Sequence, residues 1–405
     1  MAKKKVSWSW AGRVERLVAS NRFVIPSGAV VSDPLGLYVH IPFCESICNY
    51  CNFNRGLRND ELKKLYLDAL VAEIRAAGNG SIVETVYFGG GTPSLLDPHE
   101  VARVLKACNE AFTLQRSGEV SLEANPESAT LPRLEGWREA GVTRLSFGVQ
   151  SFRDEELERL GRRHSSDQAR KVIQAARAAG YDNISIDLML WLPGQTRSQC
   201  LESVQALVEL DPDHASLYIL ELYPNAPLKE EMARFNWSRA TDDDVAFMYL
   251  EALKTTDEAG YGQYEISNVS RDGKECQHNL KYWRDGEWLG FGCGAHSTLG
   301  SVRWQNISDT ETYIEALSGG GSPRGLRRIL SDEEHVEEVL FTALRLTSGF
   351  DLKYVREKYG VDVMSKYGPK LEPFIDAGVL VREHESLRLT RQGMLVANEV
   401  MASFI

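Results

Sequence analysis

The chain has 405 residues, 43% hydrophobic and 25% charged, a globular composition with room for two or three domains. Its 46 Lys and Arg against 57 Asp and Glu leave a net charge of −11, which argues against a nucleic-acid partner. No apolar run reaches the roughly 18 residues of a membrane span, and the start MAKKKVSWSWAGR lacks the apolar segment of a secretion signal. The expectation is a cytoplasmic protein, whose short basic N-terminus leaves open peripheral contact with an anionic membrane surface.

Residues 1–34 form an N-terminal extension with an amphipathic stretch near Arg13 to Phe23. From residue 35 short β-branched runs alternate with segments of helical period, the pattern of βα units around a parallel sheet. Strands are expected at 37–43, 84–90, 119–125, 144–150, 183–190 and 214–222. Between the first two, Leu62, Leu65, Ala69, Leu70 and Ile74 are expected on one buried helix face. Asp97, Ser165 and Thr196 stand three residues before Glu100, Gln168 and Gln199, the spacing of helix-start capping boxes. Six units over 35–255 predict an α/β fold, an incomplete (β/α)6 barrel. A full eight-unit barrel has similar spacing, and in either form the chemistry belongs at the carboxyl ends of the strands.

Residues 256–326 change character, with the aromatic and Gly-rich run CQHNLKYWRDGEWLGFGCGAHST and then GGGSPRG, which reads as a linker. Residues 327–405 turn helical. Helical segments at 331–346, 351–359 and 365–377 precede an alternating hairpin, VLVREHESLRLT, and a last helix, which predicts a C-terminal winged-helix-like domain.

Chemistry concentrates in HIPFCESICNYCNF. There Cys44, Cys48 and Cys51 have the spacing Cys-x3-Cys-x2-Cys after the first strand, so one loop can bring three thiolates to a single centre. Structural zinc closes a tetrahedron with four protein ligands, whereas an iron–sulfur cube held by three leaves one iron open. A Cys3His zinc site using His40 or a more distant residue is the competing reading. Cys108 and Cys200 read as buried small hydrophobes.

This motif, with Tyr50 before the last cysteine, resembles that of the radical S-adenosylmethionine (SAM) superfamily. The resemblance implies a 4Fe-4S cluster whose open iron takes S-adenosylmethionine and cleaves it reductively. It also implies an electron donor such as a flavodoxin or ferredoxin. Gly89, Gly90 and Gly91, followed by Thr92, leave backbone groups open to a ligand, or serve only as a tight turn. Beside such a cluster, the segment resembles the one that receives the methionyl amino group, which needs acceptor carbonyls. Glu123 and Gln150 end their strands, Arg162 follows the fourth, and Asp187 sits inside the fifth, an otherwise apolar strand where a buried carboxylate needs a partner or a ligand. Internal salt bridges are the alternative. Together with Tyr38 these residues match the cofactor-binding positions of the oxygen-independent coproporphyrinogen III oxidase-like (HemN-like) family, a match that runs from about residue 35 to the C-terminus.

Two features choose a branch. The oxidases continue the motif as Cys-x3-Cys-x2-Cys-x-Cys, but here the last position is Phe53. His278-Asn279-Leu280-Lys281-Tyr282-Trp283 resembles the HNxxYW motif of the HemW branch, haem-binding chaperones with the same radical SAM barrel. An imidazole can ligate haem iron, and Tyr282 and Trp283 offer flat apolar faces to a porphyrin. A packed aromatic turn with a hydrogen-bonded His278 is the other reading, and His296 is a second haem candidate. The branch implies a haem chaperone with an unidentified acceptor protein. Oxygen-independent coproporphyrinogen III dehydrogenase and class C methyltransferase or cyclopropanase are the alternatives. Trp191 stands where the family commonly has Gly, and Tyr223 begins an unusual turn after the sixth strand. The Trp191 indole is expected to narrow any second cofactor pocket.

Overall fold

The computed structural model describes residues 34–224 and 226–405, so the amphipathic stretch near Arg13 to Phe23 lies outside the described residues. All six expected strands form: β1 (Leu35–Ile41), β2 (Ile82–Gly90), β3 (Thr113–Ala124), β4 (Arg144–Gln150), β5 (Ile184–Leu190) and β6 (His214–Ile219). They pair in parallel in chain order. Helices α1 (Asp60–Ala76), α2 (Pro98–Ala111), α3 (Leu131–Ala140), α4 (Ser166–Ala178) and α5 (Arg197–Glu209) make the crossovers, and α6 (Asp242–Glu258) follows β6. Asp97 and Thr196 form capping boxes, and the Ser165 side chain accepts from the Gln168 N–H.

Alternation along the strands sorts the barrel into two faces. Leu37, Val39, Val86, Phe88, Leu122, Leu145, Phe147, Ile186 and Leu217 point outward and are buried beneath the helices. Each such side chain contributes about 1.5–3 kcal/mol by leaving water. The intervening residues are Tyr38 and His40, Thr85 and Tyr87, Glu119 and Glu123, Arg144 and Ser146, Asp187, and His214 and Ser216. The barrel interior is therefore polar, and in place of an apolar filling it encloses a cavity of about 390 Å³. Cys108 and Cys200 sit in the apolar layer outside, fully buried. On α1 the buried stripe runs through Tyr66, Leu67, Leu70 and Ile74, while Leu65 is 53% exposed. Leu65 lies off that stripe because the helix turns 100° per residue and Tyr66 takes the inward place.

Residues 256–326 extend the same sheet on both sides. Strands β7 (Gly262–Glu265) and β8 (Asn268–Ser270) form a hairpin antiparallel to β6. After helix α7 (Gln277–Trp283) the chain crosses to the other side, where β9 (Trp288–Phe291) pairs parallel to β1. Strands β10 (His296–Leu299), β11 (Val302–Asn306) and β12 (Arg324–Ile329) continue antiparallel outward. Among the described residues the main sheet has twelve strands. The Gly-rich stretch expected as a linker instead joins helix α8 (Thr310–Ser318) to β12 within this layer. Its glycines form the turn, with Gly320 at φ +71°.

The C-terminal region contains α9 (Asp332–Ala343), α10 (Leu352–Tyr359) and α11 (Val363–Asp376), then a Leu380–Glu383/Ser386–Leu389 hairpin joined by the short strand Phe350–Asp351. Three helices and a hairpin give the expected winged-helix-like arrangement. Among the described residues no helix is long and apolar enough to cross a membrane.

Candidate functional site

The cysteine loop leaves β1 and is tied down on both flanks. Phe43–Cys44 pairs with Gly56–Leu57, and Asn54 Nδ2 donates to the Ser308 and Cys293 carbonyls at 2.9 and 3.2 Å. Cys44, Cys48 and Cys51 all line the cavity. Thr92 Oγ1 donates to Cys44 Sγ and Arg162 Nη1 to Cys48 Sγ, each at 3.5 Å. Burial pushes the Cys44 and Cys51 thiols up, against the pull of the nearby Arg55 guanidinium, and a bound metal centre would hold them as thiolates. His40 does not complete a zinc tetrahedron. Its Nε2 is 2.8 Å from the Asn54 carbonyl, its Nδ1 is 3.1 Å from the Tyr38 hydroxyl, and burial lowers it to about 4. Among the described residues no His, Cys, Asp or Glu cluster is drawn tight enough to hold a single metal ion, the three cysteines included, so what the structure gives this loop is three thiols on one cavity wall. Three cavity-facing thiols without a fourth protein ligand fit an iron–sulfur cube better than structural zinc.

At the carboxyl end of β2, Gly90 has φ +121°, and a Cβ there would lie 2.6 Å from His40 Cε1. A Cβ on Gly91 would lie 2.8 Å from the Phe43 carbonyl and 3.0 Å from Cys44 Sγ. The glycines thus let the β2 backbone run against the cysteine loop. Parallel register then sets Glu123 beside Ser146 and Asp187 beside Gly148 and Ser216. Glu123 accepts from the Tyr87 hydroxyl at 2.8 Å and the Gly90 N–H at 3.2 Å, and burial pushes it up to about 7. Asp187 accepts from Ser146 Oγ at 3.2 Å and is also raised by burial. Arg162 donates to the Gly148 carbonyl and Asn125 Oδ1 at 2.6 and 2.8 Å. Gln150 ends β4 at φ +69°, a conformation costly for a residue with a Cβ and characteristic of ligand sites.

Gly90, Gly91, Thr92, Glu123, Gln150, Arg162 and Asp187 therefore border one cavity with the three cysteines. None of the carboxylates is held in the internal salt bridge considered as the alternative; hydroxyl and backbone donors serve them instead. Tyr38 is placed differently. It lies beneath Gly89, where a Cβ would meet its Cε2 at 2.9 Å, and supports the wall without lining it.

The HNxxYW segment forms the packed aromatic turn with a hydrogen-bonded His278, the second of the two readings. His278 is fully buried, with Nδ1 2.8 Å from Thr85 Oγ1 and Nε2 2.8 Å from the Tyr282 hydroxyl. Burial lowers it to about 3. Both ring nitrogens are engaged, so in this conformation His278 has no lone pair to offer haem iron. Tyr282 packs edge-on against Trp288 at 4.6 Å, and the Arg345 guanidinium covers Trp283 at 4.5 Å. Neither ring borders the cavity, and His296 lies outside it as well. Only Asn279 and Cys276 of this segment reach the cavity.

Trp191 is also a correction. It adopts φ +65° where Gly is natural, but its indole turns away from the cavity. Nε1 donates to the Ala240 carbonyl at 2.8 Å, and Arg239 stacks on the ring at 3.9 Å. Tyr223 does line the cavity, as do Tyr87, Asn125, Arg144, Ser146, Ser216 and Tyr218, which sequence reasoning missed. The available signal was the run of polar residues at every second strand position.

The radical SAM superfamily profile matches residues 38–207 and the HemN C-terminal domain profile residues 330–396. Heme chaperone HemW of Bacillus subtilis is 35% identical over 373 residues, covering 91% of this chain and 98% of that protein. Its namesake in Mycobacterium tuberculosis is 35% identical over 384 residues, 92% and 95% of the two chains. The mouse mitochondrial radical S-adenosyl methionine domain-containing protein 1 is 36% identical over 396 residues, 94% and 89%. Among solved structures, coproporphyrinogen III oxidase (HemN) from Escherichia coli superposes with a TM-score of 0.82 over 93% of this chain and 91% of its own, at 23% identity, which speaks for the fold. With the cysteine loop, the polar barrel interior and the C-terminal domain all in place, the chain belongs to the HemW family of radical SAM proteins.

Proposed function

We propose that the protein is a haem chaperone that binds a 4Fe-4S cluster through Cys44, Cys48 and Cys51, holds S-adenosylmethionine in the barrel cavity, and passes haem to an acceptor protein. A bound cluster with S-adenosylmethionine supplies one-electron reductive chemistry, for which a flavodoxin or ferredoxin is the fitting donor class. The chain's own residues bind and orient. The β2 glycines leave carbonyls open to an ammonium group, Glu123 and Asp187 present carboxylates to ribose hydroxyls, and Arg162 stands ready to clamp a carboxylate. Burial around Glu123 and Asp187 strengthens hydrogen bonds made there.

The observation that carries the chaperone reading is the cavity rim. Phe53, where the oxidases have a further cysteine, is 65% exposed. Ile47 on the same loop and Tyr218 and Ile219 at the end of β6 are also exposed, and all four border the cavity. Apolar side chains left in water around a concave site mark a surface for an apolar ligand, and a porphyrin face has that character. The relatives' names point the same way. Anaerobic haem titration of cluster-loaded protein tests the reading. A saturable, near-stoichiometric Soret shift, weakened in Phe53→Asp, is expected. Absence of saturable binding, together with loss of carbon dioxide from added coproporphyrinogen, would replace the chaperone with a decarboxylase.

A further inference from the structure

We infer that helix α7, which carries the HNxxYW motif, is a plug in the amino-terminal mouth of the barrel, and that His278 and Tyr282 are positioning residues for the cofactor carboxylate Glu123. This deepens the proposed function, since it rests on Glu123 contacting S-adenosylmethionine.

The plug is seated on the first three strands, near the ends remote from the cysteine loop. His278 bonds to Thr85 near the start of β2. A Cβ on Gly36, at the start of β1, would lie 2.9 Å from Lys281 Cδ and 3.1 Å from His278 Cε1. Lys281 Nζ reaches the Pro34 carbonyl and pairs with Glu84. The buried Glu119 of β3 accepts from the Gln277 and His278 N–H groups at 3.1 and 3.3 Å, so a strand carboxylate caps the helix. Asn279 and Cys276 then form part of the cavity floor.

From the plug, contact runs upward through aromatic rings. The His278 ring stacks on Tyr87 at 5.2 Å and 22°, and Tyr38 stacks on both, 6.2 Å from Tyr87 and 6.4 Å from His278. Tyr87 in turn donates its hydroxyl proton to Glu123. His278 thus holds the ring that holds the carboxylate, while Tyr282 and Thr85 hold His278. From below, the C-terminal domain grips the same element. Asp285, just past α7, accepts from His335 Nε2 at 2.7 Å, the Tyr359 hydroxyl at 2.6 Å and Lys358 Nζ at 3.3 Å. Arg345 stacks on Trp283 and donates to Glu265 at 2.9 Å. The motif's histidine and aromatics therefore belong to a packed column from the C-terminal domain to the cavity, which explains why these residues are buried instead of facing a haem.

The test compares His278→Asn, Tyr282→Phe, Tyr87→Phe, the double variant His278→Asn/Tyr87→Phe, and Glu123→Gln in cluster-loaded full-length protein. Readouts are S-adenosylmethionine affinity, the change it causes in the electron paramagnetic resonance signal of the reduced cluster, and haem affinity. His278→Asn and Tyr87→Phe should each weaken S-adenosylmethionine about tenfold, and the double variant no more than the worse single. Tyr282→Phe should act in the same direction, and all should leave haem affinity unchanged. Additive losses, or a loss of haem binding with S-adenosylmethionine unaffected, would overturn the plug. If His278→Asn does not fold, Tyr282→Phe and Tyr87→Phe carry the same comparison. Loss in Glu123→Gln with none in the column variants sinks the column alone. No loss in Glu123→Gln sinks the reading of the site and the column with it.

Discussion

Glu73 offers a sharp test of how the cysteine loop is braced. This carboxylate on α1 is fully buried and accepts from the Gly292 N–H at 2.8 Å, Asn306 Nδ2 at 2.6 Å and the Tyr313 hydroxyl. It ties α1 to the segment that receives Asn54 of the cysteine loop. Glu73→Ala strands three buried donors, of which Asn306 keeps a second bond to the Gly292 carbonyl at 3.0 Å. At about 1–3 kcal/mol for each unsatisfied group, the loss should be about 3–5 kcal/mol. Glu73→Gln keeps one acceptor oxygen and should cost about 1–2 kcal/mol. Burial also pushes Glu73 up from 4.5 to about 7, against the pull of its three donors. The folded chain therefore retains a proton that the unfolded chain has released, and this contribution is complete below pH 4.5 and lost as pH rises toward 7. Between pH 5.5 and 7.5 the wild type should lose about 2 kcal/mol that Glu73→Gln does not. Anaerobic urea unfolding of both proteins at the two pH values measures it. Equal pH slopes, or a Glu73→Ala loss below about 1 kcal/mol, would refute the argument.

Three further outcomes are expected. Gly91→Ala should block cluster assembly, since its Cβ would press on the Phe43 carbonyl and Cys44 Sγ; a full complement of iron and sulfide in the variant would disprove this. Asp187→Asn should weaken S-adenosylmethionine by about tenfold, the value of one hydrogen bond to a charged acceptor, with thermal stability unchanged or raised because a buried carboxylate is removed; calorimetry showing wild-type affinity would exclude the contact. Trp191→Gly relieves a left-handed backbone worth about 1–3 kcal/mol but gives up the bond to Ala240 and the stacking of Arg239. Its melting temperature should move little, and S-adenosylmethionine affinity should not move at all; a changed affinity would place the indole nearer the cofactor than its contacts do.

Local pattern carried much of this protein. Strand alternation and helix caps are short-range effects of backbone geometry, so six strands, their order of occurrence and three helix starts were legible in chain order. Cys44, Cys48 and Cys51 were equally legible, because eight residues of one loop decide whether three thiols can share a centre. Glu123 and Gln150 could be named because strand ends in a parallel array gather at one mouth, and Asp187 because a carboxylate within an apolar strand is costly to bury without a partner or a ligand. What the sequence could not decide was what each polar side chain touches. His278 reads either as a haem ligand or as a hydrogen-bonded residue of a packed turn until Thr85, 193 residues away, and Tyr282 take its two nitrogens. Trp191 reads as an obstruction until Ala240 and Arg239 draw its ring aside. The Gly-rich 319–325 stretch reads as a linker until β12 returns to β11. Composition and period specify which face of an element is buried. The partner it is buried against depends on contacts between residues far apart in the chain, and at this site those contacts separate a ligand from a support.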